Sequence, residues 1–483
     1  MMVDRFFDGD TSINRPVIDP KVDYRANYQG GDLEGIRKKL EEGYFKALGV
    51  NTLWISPIVT NPEGSYQEYP APRRWFSGYH GYWPVQTTVV DHRFGSNEGF
   101  GKLVDQAHAA NMNVLVDFVS NHVHQENKLF KEHPEWFSSM YTKDGKVNIR
   151  IWDAERLTTW FDTFMPDIDY TKPEAVNAFS DSAMFWIEKY KIDGFRHDAT
   201  KHVSETFWRA LTRKMKQRVV KKEQRNVYQI GETFGSRELI GSYIGSGMMD
   251  AQFDFNLYFD ARPVFAGTEE SFEKVAASLK ESALYYGSHS LMGNITGNHD
   301  MPRFLYYAGG AARPGEDDKE AGWSRDIKVE DPRGYARLKM LEAFILTIPG
   351  IPVIYYGDEI GMPGANDPDN RRMMRFSGLT AEEQDVMATV KKLTALRRSS
   401  MPLLYGSTRV LQATKDQLVF VREYLGKSEV VALNRAESPS TLTVNLPAAS
   451  KVRSTFTGNS AQLTASELRF TVKPLSFEII SID

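Results

Sequence analysis

Ile192-Asp193-Gly194-Phe195-Arg196-His197-Asp198-Ala199-Thr200-Lys201-His202 is the stretch on which the fold turns. Ile192–Arg196 reads as a short buried strand. The residues that follow it are ionisable. A parallel strand that delivers charged side chains at its carboxyl end is how α/β enzymes build a site. The same arrangement recurs on both sides. Val114–Phe118 runs into Ser120-Asn121-His122, Val227–Gly231 into Glu232, and Leu291–Thr296 into Asn298-His299-Asp300. Four strand ends thus carry Asp, His, Arg, Asp, Glu, His and Asp, which is hard to explain as surface decoration.

Further strand-like runs stand at Met1–Arg5, Thr52–Ser56, Ala251–Phe255 and Val353–Tyr356. Helical stretches lie between the runs. Leu33–Leu48 opens after a plausible N-cap at Asp32, and Phe100–Asn111 and Ser204–Lys222 follow later strands. Eight strands alternating with helices predict an α/β fold, a (β/α)8 TIM barrel, over residues 1–122 and 165–401. Residues 123–164 break the rhythm and form an excursion domain after strand 3. Residues 402–483 change to alternating strands and turns, with runs at Thr408–Ala413, Leu418–Glu423, Glu429–Asn434 and Thr441–Leu446. They predict a C-terminal antiparallel β-domain.

The bulk numbers narrow the partners. A net charge of −4 over 483 residues gives no reason to expect nucleic acid. The basic face of Ser204–Lys222 reads as a solvated outer face. The chain has no cysteine, which excludes disulfides and thiolate metal sites. No apolar run reaches membrane-spanning length. Met1-Met2-Val3 carries no signal-peptide pattern, so the true N-terminus is expected to have been removed or to lie in a segment ahead of Met1.

Glycoside hydrolysis needs one carboxylate to attack the anomeric carbon and one carboxylic acid to protonate the leaving oxygen. A third carboxylate nearby would raise the pKa of that acid. A guanidinium would keep the nucleophile ionised, and imidazoles suit sugar hydroxyls.

The segments DFVSNH (Asp117–His122), GFRHD (Gly194–Asp198) with Lys201-His202, GETF (Gly231–Phe234) and GNHD (Gly297–Asp300) resemble the four signature regions of the α-amylase family of glycoside hydrolases. MPDID at Met165–Asp169 resembles its fifth. The resemblance implies Asp198 as nucleophile, Glu232 as general acid/base and Asp300 as the third acid. It implies that Arg196 stands beside the nucleophile, that His122 and His299 hold the reacting glucose, and that Tyr82 forms its stacking floor. Lys201 and His202 would meet the sugar on the leaving-group side, and Asp367 and Arg371 would clamp the opposite side. The implied substrate is an α-glucan or maltooligosaccharide, cleaved with retention, and no organic cofactor is expected.

Asp8, Asp10, Ile13 (through its carbonyl), Asn14, Gly30 and Asp32 resemble a family Ca²⁺ loop rich in hard oxygen ligands. Asn121, Asp167 and the carbonyl of His202 match a second family site. Ca²⁺ loops and polymeric glucans favour a periplasmic or extracellular location. Three rival readings stand beside this one. His122-Val123-His124 could belong to a metal-dependent barrel hydrolase. A non-catalytic glucan-binding relative is the second. A glucanotransferase of the same family is the third; it differs only in the acceptor side, where Trp136, Trp152, Trp160 and Phe161 of the excursion are candidates.

Overall fold

Strands β1 (Thr52–Ile55), β2 (Asn113–Phe118), β3 (Gly194–His197), β4 (Tyr228–Gly231) and β5 (Ala251–Gln252) lie side by side, parallel and in sequence order. The computed structural model describes residues 1–267, 269–288, 291–445, 452–458, 461–464 and 467–482. These strands belong to the first of two units, Met1–Phe234, Leu239–Gln252 and Arg372–Met374. Every residue of β3 is buried. Strands covered on both faces are apolar along their length, which is why they stand out in the sequence. Gly194 is required by close approach, because a Cβ there would lie 1.8 Å from the Tyr228 carbonyl oxygen.

Helices α1 (Leu33–Glu41) and α2 (Tyr44–Leu48) precede β1, and α3 (Asn97–Ala109), α4 (Pro173–Tyr190) and α5 (Glu205–Met215) connect the strands that follow. Asp32 caps α1 by accepting the Gly35 N–H at 2.6 Å. The single helix expected over Leu33–Leu48 is two helices, because Gly43 takes a left-handed conformation (φ 77°) between them. The helix from Ser204 runs to Met215 and continues through a π-turn at Lys216–Val220.

The strand expected at Met1–Arg5 is a 3-10 turn over Val3–Arg5. Met1 does lie against β1, where its carbonyl accepts the Ser56 N–H at 2.9 Å. The chain then curls because Asp4 and Arg5 are both buried and paired at 2.8 Å. A strand would point successive side chains to opposite faces.

The excursion leaves after β2 and returns before α4. An antiparallel bridge between His122 and Asp167 marks its base. Trp160 is buried inside it and donates to the Ser138 carbonyl at 3.0 Å.

The second unit comprises Gly235–Glu238, Phe253–Arg371 and Arg375–Asp483. It contains the parallel pair β6 (Gly293–Ile295) and β7 (Ile351–Val353). The last strand was expected at Val353–Tyr356 and sits two residues earlier. Tyr355 and Tyr356 leave the sheet to pack their rings on the Arg303 guanidinium, at 4.4 and 5.0 Å. The antiparallel strands follow. β8 (Ser407–Ala413), β9 (Gln417–Tyr424), β10 (Lys427–Asn434), β15 (Ser476–Ile482) and β12 (Val452–Ser454) pair in that order. β11 (Ser440–Asn445), β14 (Glu467–Val472) and β13 (Gln462–Thr464) form a second sheet. Val419, Val421, Val430, Leu442, Leu468 and Ile480 fill the core between them. Leu446, the expected end of the strand from Thr441, lies outside the described residues.

Helices α6 (Arg333–Thr347) and α7 (Ala381–Ser399) pack in this unit. The carbonyls at the end of α6 are taken by two buried arginines. Arg397 donates to Leu346 and Ile348 at 2.9 and 3.1 Å, and Arg422 to Thr347 at 2.5 Å. A cation at a helix C-terminus meets both unpaired carbonyls and the negative end of the dipole.

Glu342, also on α6, is fully buried, and neither carboxyl oxygen has a hydrogen-bond partner among the described residues. Burial first, then the charges of Asp358 and Glu359, push its pKa well above the usual range, so it is held neutral. With the folded pKa raised, its relative stabilisation is present below pH 4.5 and is lost as pH rises. Glu342→Gln should therefore match the parent near pH 4.5 and gain on it as pH rises towards the folded pKa of Glu342. Denaturant melts at pH 4.5 and 8 check this, and parallel curves would contradict it.

Candidate active site

Arg196 on β3 is fully buried and organises the acids at the strand ends of the first unit. Its Nη1 donates to Asp198 Oδ1 at 2.9 Å and to Asp117 Oδ1 at 2.8 Å, and its Nη2 lies 2.5 Å from Glu232 Oε2. One guanidinium thus joins three carboxylates from the ends of β2, β3 and β4. Burial alone would lower the pKa of Arg196. The charges of Asp117, Glu232 and Asp198 outweigh that and hold it well above its ordinary value, so the cation is permanent. Burial raises the pKa of Asp117 against the pull of Arg196.

Backbone pairing sets the acids in place. The Asp198 N–H donates to the Phe118 carbonyl at 3.2 Å, and the Glu232 N–H to the His197 carbonyl at 3.0 Å. The Ala199 N–H reaches Glu232 Oε2 at 3.3 Å. Two residues of this network had no role in the sequence reading. Asp117 accepts from Tyr82 Oη at 2.8 Å and from Trp54 Nε1 at 3.0 Å. The signal for Asp117 was present, since it alternates with Phe118 on a strand that otherwise reads as apolar. Trp54 carries no such mark.

His122 Nε2 lies 3.0 Å from the Tyr82 carbonyl, and burial takes its pKa down to about 4. His202 is also held near 4 by burial, with Nδ1 2.9 Å from the Arg156 carbonyl. Both rings are neutral at physiological pH and so are suited to hydrogen bonding. Phe161 joins them, with ring centroids 5.0 Å from His122 and 5.1 Å from His202. Trp152 stands edge-on to Phe161 at 4.8 Å and is partly exposed. Lys201 lies 3.6 Å from Asp153 of the excursion. Trp136 instead stacks on His133 at 4.1 Å. His122 and His124 of the HxH sequence have different surroundings, because His124 packs against Tyr66, Trp83 and Phe164.

The second unit carries the remaining expected residues, and it brings them together. Arg371 Nη2 donates to Asp300 Oδ1 at 3.1 Å, and its Nη1 pairs with Asp367 Oδ1 at 3.0 Å. His299 Nε2 is 3.1 Å from Asp300 Oδ2. The Asp300 side chain is 40% exposed.

The first unit also carries two groups of hard oxygens. In the loop near the start, Asn14 Nδ2 donates to Asp8 Oδ2 at 2.7 Å, while Asp8 Oδ1 and Asn14 Oδ1 are buried with no hydrogen-bond partner among the described residues. Gly30 (φ +92°) admits the Asn14 amide, since a Cβ there would lie 2.7 Å from it. Asp10 is turned to Ser12, and Ile13 ends a 3-10 turn. Asp32 accepts the N–H groups of Gly9, Asp10 and Gly35. At the base of the excursion, the Asn121 amide faces Asp167 Oδ1 and the His202 carbonyl, each at 3.2 Å. The amide can donate to both or, turned over, add its oxygen to theirs.

A family model described as the α-amylase catalytic domain matches residues 1–401. The cyclomaltodextrin glucanotransferase of Bacillus sp. (strain 1011) is 28% identical over 471 residues, covering 92% of this chain and 60% of that protein. The cyclomaltodextrinase of Thermoanaerobacter pseudethanolicus is 26% identical over 461 residues, covering 92% and 70%. The crystal structure of an Anoxybacillus α-amylase is similar with a TM-score of 0.83 and 28% identity, covering 100% of this chain and 96% of that one. The chain therefore spans about three-fifths of the length of the glucanotransferase it matches. Together the matches give the chain the TIM-barrel glycosidase fold, followed by antiparallel sheets.

Proposed function

The chain belongs to the α-amylase family, and from that premise we propose that it cleaves α-1,4-glucosidic bonds in starch-type glucans, maltooligosaccharides or cyclodextrins by double displacement. The observation that carries this reading is the buried Arg196, which touches both Asp198 and Glu232. Asp198 attacks the anomeric carbon and forms a glycosyl-enzyme as the bond to the leaving oxygen breaks. Glu232 gives its proton to that oxygen, then takes one from the incoming acceptor, which releases the sugar with its configuration retained. Such a pair is expected to hold its carboxyl groups about 5–5.5 Å apart. Arg196 keeps Asp198 ionised. Asp300, with Arg371 and Asp367, grips ring hydroxyls, and neutral His122 does the same at the reacting glucose, together with His299. Tyr82 is its floor, and Lys201 and His202 serve the leaving side.

Transfer to a sugar hydroxyl is the second reading. It is supported by the partly exposed Trp152 beside Phe161 and His202, on the side where an acceptor would enter. Chromatography of products from maltooligosaccharides, starch, pullulan and cyclodextrins separates the readings. Hydrolysis yields one new reducing end per bond broken, whereas transfer yields longer or cyclic products with none. No turnover of any of them would favour a binding protein.

We also propose that Ca²⁺ stabilises the fold at the Asp8–Asn14 loop, where two buried oxygens lack partners and Gly30 and Ile13 can add carbonyls. Asn121, Asp167 and the His202 carbonyl form a second candidate. A Ca²⁺ site filled at a hundredfold excess over its Kd adds about 2.7 kcal/mol. Chelation should lower the melting temperature by several degrees, with recovery on adding Ca²⁺. An unchanged melt would exclude a stabilising site.

A further inference from the structure

We infer that Arg303 is a positioning residue for Asp300, acting through Asn370 and Arg371; this rests on Asp300 being the third acid of the proposed site. Arg303 is only 1% exposed, and burying a guanidinium is costly unless its donors are used. Its Nη1 donates to Asp358 Oδ1 at 3.0 Å and to the Tyr356 carbonyl at 2.9 Å. Its Nε donates to the Asn370 carbonyl at 2.9 Å. Asp358 is itself fixed by Thr296 at the end of β6, whose Oγ1 donates to it at 2.6 Å.

The residue held by Nε is the one that spans Asp300. Asn370 is fully buried, and its Nδ2 donates to the carbonyls of His299 and Met301, each at 2.8 Å, on either side of Asp300. The next residue, Arg371, donates from Nε to the His299 carbonyl at 2.8 Å and from Nη2 to the Asp300 carboxylate. Three hydrogen bonds thus clamp the backbone around Asp300, and a fourth holds its carboxylate. All four come from residues 370 and 371, whose backbone Arg303 holds in place. The Asp300 side chain is 40% exposed and is touched on its other oxygen by His299 Nε2 at 3.1 Å, so its orientation rests on this clamp together with that ring. A group that stabilises a transition state must already be oriented when the reaction begins.

The test is a double-mutant cycle on kcat, with melting temperatures recorded for each variant. Arg303→Lys keeps the charge and loses the planar fork. Asn370→Ala removes the clamp directly and serves if Arg303→Lys does not fold. In the parent, each should lower kcat on a chromogenic maltooligosaccharide by about tenfold to a hundredfold, with KM moving less. In an Asp300→Asn background, the same changes should cost less than about twofold, because the group they position has gone. Equal factors in both backgrounds, or melting changes with no loss of kcat, would overturn the inference and leave the site reading intact. Full activity in Asp300→Asn alone would instead overturn the site reading, and this inference with it.

Discussion

Asp198→Asn should yield a folded protein whose turnover of maltooligosaccharides is lower by at least about a thousandfold. The substitution preserves shape, and the amide oxygen can still accept from Arg196, which now donates at 2.9 Å. What disappears is the negative charge and the lone pair that forms the covalent bond. Without it no glycosyl-enzyme forms, and neither water nor a sugar hydroxyl has an intermediate to attack. The side chain is 12% exposed in a polar setting, so the melting temperature should stay close to that of the parent. Rate assays and a circular-dichroism melt on the same sample check both parts. Retained turnover would remove Asp198 from the chemistry and place the nucleophile elsewhere.

Arg196→Met produces the largest expected loss of stability, about 3–5 kcal/mol. The side-chain volume is roughly kept, yet Asp117, Asp198 and Glu232 would lose the cation that joins them. Buried carboxylates without a counter-charge take up protons, so their pKa values in the folded variant rise. The sign follows from linkage: for groups with a raised folded pKa, relative stability is kept at low pH and lost as pH increases. The deficit of Arg196→Met should therefore be smaller at pH 4.5 than at pH 7.5. Urea melts at the two values measure it. A deficit below 1 kcal/mol that ignores pH would mean the three acids do not depend on Arg196.

Much of this was legible in the sequence, for identifiable reasons. Strands buried on both faces are written as apolar runs, so β2, β3 and β4 could be read directly, and the charged residues at their ends marked the site. Met1–Arg5 misled because an apolar start followed by Asp4 and Arg5 looks like a strand running out to solvent, whereas that pair is buried and curls the chain. Val353–Tyr356 misled because tyrosines that pack on a buried arginine are as apolar in composition as a strand. Helix Leu33–Leu48 was read through Gly43, whose conformation composition does not reveal. In the site, the acids were visible because their chemistry is specific. Trp54 and Arg303 were not, since they act only through contacts made by distant segments.

The arginines at the end of α6 bear on where the protein can be cut. The family match stops at residue 401, and a fragment ending there would keep every proposed catalytic residue. It would lose Arg422, and with it the donor to the Thr347 carbonyl. It would also uncover Phe344 on α6, whose ring packs against Phe420 of β9 at 6.4 Å. Residues 402–483 are thus better regarded as the closing piece of the second unit's own core than as an appendage, and a shortened version should be insoluble or unfolded.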